Sequence, residues 1–415
     1  MVRPVVGAVV TLAALVSACA PIAGPVVVEA LVPDASARGG TKLDDVTLTS
    51  VTDLAAGKGS LFDVRGGLKV NITDLNAISE DDFEEMIARV RGDNGNDVNA
   101  CMDFDGTRYV ACDYETLFYF SMFANFESAF ARAVDFGDES DATQRKGVVG
   151  LFASVQYSEF FPVTLLSTDN AAYAPPVDGW LALRTAFQDG VPFAMHRGVI
   201  SHEFGHRLFF HNVFRAVDGG FEVWRADSTQ TELTKDEVRE QMLLKGTDEG
   251  LADVFSMSAL VDKDSINTAF EDAGDAFAAE APRRDVEGAF ARAATYDNLR
   301  ELTLDAKLLQ SCGLTGSEFQ TSFNFYCVGT VLAAALWEAS DSDADILASD
   351  MEPAIVRALP RVGEQLVNGA AFDVDLFLEP LAQELAPGVR RGALCEAATR
   401  RFSSLVDAGR IPSCL

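Results

Sequence analysis

Val199-Ile200-Ser201-His202-Glu203-Phe204-Gly205-His206-Arg207-Leu208-Phe209 is the stretch on which the reading of this chain turns. On a helix, residues four apart lie on one face about one turn apart, so His202 and His206 can grip a single ion. Glu203 follows the first histidine and points aside from the ligand axis. It can reach a metal-bound water, which is what a general base for hydrolysis must do. The chain holds 4 His and 63 acidic residues among 415. By composition alone, this spacing with an acid in second place arises about 0.004 times per chain.

A catalytic zinc site takes three protein ligands and leaves a fourth position for water. His211 is close in sequence, but a metzincin needs Gly and His where this chain has Phe209 and Asn212. His211 and His196 are therefore expected to be ordinary surface or core imidazoles near a helix end. Downstream lies Gly246-Thr247-Asp248-Glu249-Gly250-Leu251-Ala252-Asp253, in which Glu249 and Asp253 are again four apart. Together the two motifs resemble the gluzincin metallopeptidases, of which the thermolysin-like and fungalysin-like enzymes are members. That resemblance implies a zincin-like α+β fold, one Zn2+ per chain, His202, His206 and Glu249 as ligands, and Glu203 as catalytic base. It also implies that Asp253 fixes the tautomer and orientation of a ligand histidine.

Two weaker stretches lie where the same family's chain order places them. Asn170 and Ala171, ahead of Trp180 to Thr185, are similar to the edge strand that pairs with an extended substrate; such pairing needs only a backbone edge and side-chain pockets. A covered edge strand is the plain alternative. Phe325 to Trp337 looks like the segment in which a His precedes a Gly and opens an apolar helix, but here Tyr326 stands three before Gly329. A phenol can donate the same hydrogen bond to an oxyanion, so Tyr326 is a second catalytic candidate, with a core tyrosine as the alternative. The implied substrate is a peptide or protein. No Gly-x-Met-Glu-Asn motif for capturing a free amine is present, which favours an endopeptidase. The competing reading is an envelope lipoprotein that binds a partner and keeps zinc only as a structural or vestigial brace.

With 33 Lys plus Arg against 63 Asp plus Glu, the net charge of -30 argues against nucleic acid or anionic lipid as a partner. The opening MVRPVVGAVVTLAALVSACA has an Arg, an apolar run from Val5 to Val16 and then Ser17-Ala18-Cys19. It reads as a signal peptide, too short and too early for a membrane span. Its end resembles a bacterial lipobox with Cys19 as the lipidation site, against the plainer alternative of a secretory signal that happens to contain Cys. Ala20 in place of Asp points to the outer membrane, with the lipid as the only membrane contact. Setting Cys19 aside leaves six cysteines, and the sequence neighbours 101/112, 312/327 and 395/414 are the expected bridges. Calcium has no support, since Asp341 to Asp345 lack EF-hand spacing. A monomer is the simplest expectation.

The expected organisation is a signal peptide over 1–18, a lipid-anchored tether with irregular structure over 19–66, an α+β lobe with the His202 helix over 67–246, and a mainly helical lobe over 247–415. Within these, 81–91 reads as an amphipathic helix, 101–112 as a stapled hairpin about Asp105-Gly106, and 114–136 as a helix whose aromatic stripe belongs to the core. Short apolar runs at 148–152 and 180–183 read as strands. Beyond Gly250 nearly everything reads as helix.

Overall fold

The structure is a computed structural model that describes residues 21–34, 41–66, 69–72, 96–157, 170–174, 178–183, 191–192, 195–215, 235–266, 268–269, 284–300 and 325–415. The signal peptide expected over 1–18, the lipidation site expected at Cys19, the helix expected over 81–91 and Cys312 lie outside the described residues.

The chain is α+β, with strands in its first half and helices in its second. One sheet runs in the order β2 (Thr41–Leu48), β1 (Val26–Pro33), β9 (Tyr109–Ala111), β8 (Met102–Phe104). The larger sheet runs β11 (Asn170–Ala174), β12 (Gly179–Leu183), β10 (Gly147–Tyr157), β5 (Phe62–Gly66), β4 (Lys58–Gly59), β3 (Val51–Asp53). β6 (Lys69–Ile72) pairs with β10, and β7 (Asn96–Asp97) with β5. Within 19–66, expected to be tether and irregular structure, the described residues 21–34 and 41–66 instead form five strands. Val28 and Ala30 of β1 are fully buried, and Glu127 accepts hydrogen bonds from the backbone and hydroxyl of Thr49 and Ser50. The sequence signal was weak because β2, Thr-Lys-Leu-Asp-Asp-Val-Thr-Leu, is mostly polar and pairs residue by residue with β1.

α1 (Tyr114–Asp135) starts where Asp113 accepts from the Thr116 amide, with Glu115 in its first turn and Arg132 in its last. Its aromatic stripe is core, as the spacing indicated. Phe126 meets Trp180 of β12 at 4.3 Å between ring centroids, and Phe130 meets Phe204 at 4.9 Å. Each ring so buried contributes roughly 1.5–3 kcal/mol. This aromatic layer sets the larger sheet against α3 (Arg197–Phe209), the helix that carries the His-Glu-Phe-Gly-His motif. A short helix, α2 (Asp141–Gln144), precedes β10.

The helical part comprises α4 (Lys235–Leu260), α5 (Ala289–Ala293), α6 (Tyr296–Arg300), α7 (Phe325–Ala339), α8 (Glu352–Val367), α9 (Asp375–Glu384), α10 (Val389–Arg401) and α11 (Ser403–Asp407). The lobe boundary expected after residue 246 falls inside α4, because that helix packs against α3 and α7 along one continuous length. Glycines set how closely these helices cross. A Cβ on Gly205 would stand 2.7 Å from Phe255 and 2.9 Å from the Ala252 backbone. One on Gly250 would stand 2.5 Å from the Gly329 carbonyl oxygen. The motif glycine thus lets α3 reach α4, and the Gly250/Gly329 pair lets α4 reach α7.

Cys101–Cys112 closes the β8–β9 hairpin with a Cα separation of 5.4 Å, and Cys395–Cys414 ties α10 to the C-terminus at 5.1 Å. Cys327 is also disulfide-bonded. These bridges fit an oxidising compartment outside the cytoplasm. Among the described residues no helix is long and apolar enough to cross a membrane.

Candidate metal centre

Two helices bring the three expected ligands together. His202 and His206 project from one face of α3, Glu249 from the middle of α4, and their ligand atoms all lie within 4.8 Å of one another. The two Nε2 atoms are 3.1 Å apart, and Glu249 Oε2 and Oε1 lie 3.5 Å and 3.7 Å from the Nε2 of His202 and His206. This group could hold a metal ion.

Each imidazole has a carboxylate behind it. Asp253 Oδ1 lies 3.1 Å from His202 Nδ1, beside the kind of histidine the resemblance pairs it with. Asp248 Oδ1 lies 2.9 Å from His206 Nδ1, a close charge contact off the line of an ideal hydrogen bond. An imidazole that carries its proton on Nδ1 would present its Nε2 lone pair to the common point. Burial works to lower the His206 pKa, but Asp248 and Glu249 outweigh it and push it up to about 10.

Glu203 is 8% exposed, and its Oε2 accepts a hydrogen bond of 2.7 Å from the backbone N–H of Tyr173. Burial raises its carboxyl above the usual range, against the pull of His202 and His206. Asn170 and Ala171 lie on the same strand as Tyr173. That strand, β11, ends the described order of the larger sheet, with Asn170 in register with Leu183 and Ala171 with Ala182.

Tyr326 opens α7, and its ring lies under the Arg284 guanidinium, 4.7 Å from Cζ to ring centroid. The charge of Glu249, and then burial, push its phenol well above the ordinary tyrosine range, so the hydroxyl stays protonated and able to donate. Arg284 itself went unseen in the sequence. Its Nε donates to Asp253 Oδ2 at 3.1 Å, and its Nη2 to Asp253 Oδ1 and, at 3.3 Å, to Glu249 Oε2. Burial works to raise the Asp253 carboxyl, but Arg284 and His202 hold it below the usual range.

The remaining histidines are structural. His196 caps α3, its Nδ1 accepting from the Gly198 amide at 3.2 Å. His211 Nε2 lies 3.1 Å from Asp178 Oδ1 in a buried group with Arg207 and the Tyr173 hydroxyl. That group fixes the β11–β12 turn to α3 on the same side as Glu203. The acidic run at 341–345 caps a helical turn, with Asp343 accepting from the Asp345 and Ile346 amides. No protein-family model matches this chain, and no curated protein matches it either.

Proposed function

We propose that the chain is a zinc-dependent metallopeptidase, with endopeptidase cleavage favoured, that works on peptide or protein substrates. The observation that carries this reading is the convergence of two imidazole nitrogens and a carboxylate within 4.8 Å, with a separate buried carboxylate, Glu203, beside them. Two nitrogens each about 2.0–2.1 Å from a tetrahedral zinc ion stand roughly 3.3 Å apart. The separations of 3.1, 3.5 and 3.7 Å suit that ion. A purely structural ion would not need a base beside it.

His202, His206 and Glu249 would hold the ion, and zinc so bound supplies a Lewis acid and lowers the pKa of a coordinated water toward roughly 7. Glu203 takes the proton at its carboxylate and passes it to the nitrogen of the breaking amide. Tyr326 Oη donates to the oxygen on which negative charge collects. Asp253 and Asp248 keep the imidazoles in the binding tautomer. An exported lipoprotein anchored through Cys19 in the outer membrane is part of the same proposal, and the disulfides support its export.

The bond from the Tyr173 amide to Glu203 favours a second reading, in which Glu203 serves to hold β11 and the chain is a binding lipoprotein with a structural ion. Metal analysis of the purified protein, a chelator-sensitive casein assay and a Glu203→Gln variant separate the two. About one zinc per chain, with activity abolished in the variant, supports the peptidase. Stoichiometric zinc without activity supports the binding protein, and absence of zinc overturns both.

A further inference from the structure

Four buried or nearly buried carboxylates, Glu203, Asp248, Glu249 and Asp253, crowd around two histidines. Arg284 supplies a permanent positive charge among them, since a guanidinium does not deprotonate in proteins. It is held firmly. Asp253 takes it in a two-pronged grip, the Tyr326 ring supports it, and three residues on, Glu287 accepts from the Trp337 indole at 2.9 Å and pairs with Lys263. Yet the same Nη2 also reaches into the ligand set: it donates to Glu249 Oε2 at 3.3 Å and lies 3.4 Å from both ring nitrogens of His202. Glu249 Oε2 and His202 Nε2 are two of the atoms whose lone pairs would bind the metal.

Resting on the metal reading above, we propose that Arg284 is a competing cation built into the centre, which admits only ions able to displace it from Glu249 and His202. Nη2 donates to both Asp253 and Glu249 and lies beside the His202 ring. When a divalent ion takes Glu249 Oε2 and His202 Nε2, Nη2 retains Asp253 and gives up the other two contacts. An ion that binds imidazole strongly, such as Zn2+, wins this exchange, whereas Mg2+ and Ca2+, which prefer oxygen ligands, do not. Before loading, Arg284 offsets the cost of burying Glu249 and Asp253 side by side. The competition is insensitive to pH on the arginine's side.

The test is equilibrium competition for Zn2+ between a chromophoric chelator and the purified protein, in the wild type, Arg284→Gln and Arg284→Lys, with thermal midpoints recorded without metal. The Gln variant is expected to bind Zn2+ about 10–100-fold more tightly, the range over which groups behind metal ligands act, and to melt lower than wild type without metal. Lysine keeps the charge as a single point that cannot bridge both carboxylates, so Arg284→Lys should fall between the two and decides the matter if Arg284→Gln does not fold. Equal or weaker zinc binding in a folded variant, with wild type binding one zinc, overturns this inference and leaves the metal reading standing. A folded wild type that binds no zinc overturns both.

Discussion

Asp248 Oδ1 stands 2.9 Å from His206 Nδ1, so one helix supplies in adjacent positions both a metal-ligand candidate, Glu249, and the carboxylate that orients the opposite imidazole. Removing that carboxylate frees the ring to rotate and to protonate on the wrong nitrogen. Asp248→Ala should weaken Zn2+ binding about 10–100-fold, with Asp248→Asn less affected because an amide oxygen can still accept from Nδ1. Chelator competition at fixed pH measures this; affinities equal to wild type in both would remove Asp248 from the site.

Glu203 and Glu249 are both buried acids, but their surroundings assign them different work. Glu203 faces the Tyr173 amide, whereas Glu249 faces both Nε2 atoms. Glu203→Gln should retain zinc and lose turnover by about 10²–10⁴-fold, the usual contribution of a general base. Glu249→Gln should lose most of the metal. Parallel metal analysis and peptide-cleavage rates decide, and equal zinc loss in the two variants would sink the assignment.

The spacing of the centre depends on backbone contact between α4 and α7. A methyl group on Gly250 would meet the Gly329 carbonyl at 2.5 Å, and one on Gly329 would meet the Gly250 nitrogen at 2.8 Å. Gly250→Ala should therefore cost about 1–3 kcal/mol in denaturant unfolding and, because it forces Glu249 outward, weaken zinc binding as well. Gly392→Ala, on α10 with open space around it, is the control: it should leave zinc binding unchanged and, if anything, raise stability by up to about 1 kcal/mol.

The i,i+4 rule revealed what lay on one helix face: His202 with His206, and Glu249 with Asp253. It could not reveal Asp248, which is one residue from Glu249 and five from Asp253 and so falls off the face those two share. Arg284 was hidden for another reason. It comes 31 positions after Asp253 and reaches the centre only through the way its segment packs on α7. The apolar helices and the aromatic stripe of α1 were legible because their period is set by burial. The N-terminal strands were not, since their stability comes from pairing at long range and from Glu127, 78 residues from Thr49. Tyr326 was placed by motif position, and its closeness to Glu249 and Arg284 gives that placement a physical setting.

The C-terminal end of the chain is held by a carboxylate whose effect on stability has a definite sign. Asp297 of α6 accepts from the Ser403 hydroxyl at 2.7 Å and the Ser404 amide at 3.1 Å, pinning the start of α11. Burial works against ionisation there, but the bonds from Ser404 and Ser403 outweigh it and hold the carboxyl below its ordinary value of 3.8. A folded pKa depressed in this way contributes stability above the unfolded pKa and loses it as pH falls through the folded one. The group is half-buried and meets solvent, so screening limits the effect to about 1 kcal/mol. Asp297→Asn should thus lower the thermal midpoint at pH 6 to 7 and make little difference once pH falls well below about 4. Melting curves of both proteins from pH 3 to 7 provide the check; a deficit constant across that range would show that the amide disturbs packing and that the charge contributes nothing.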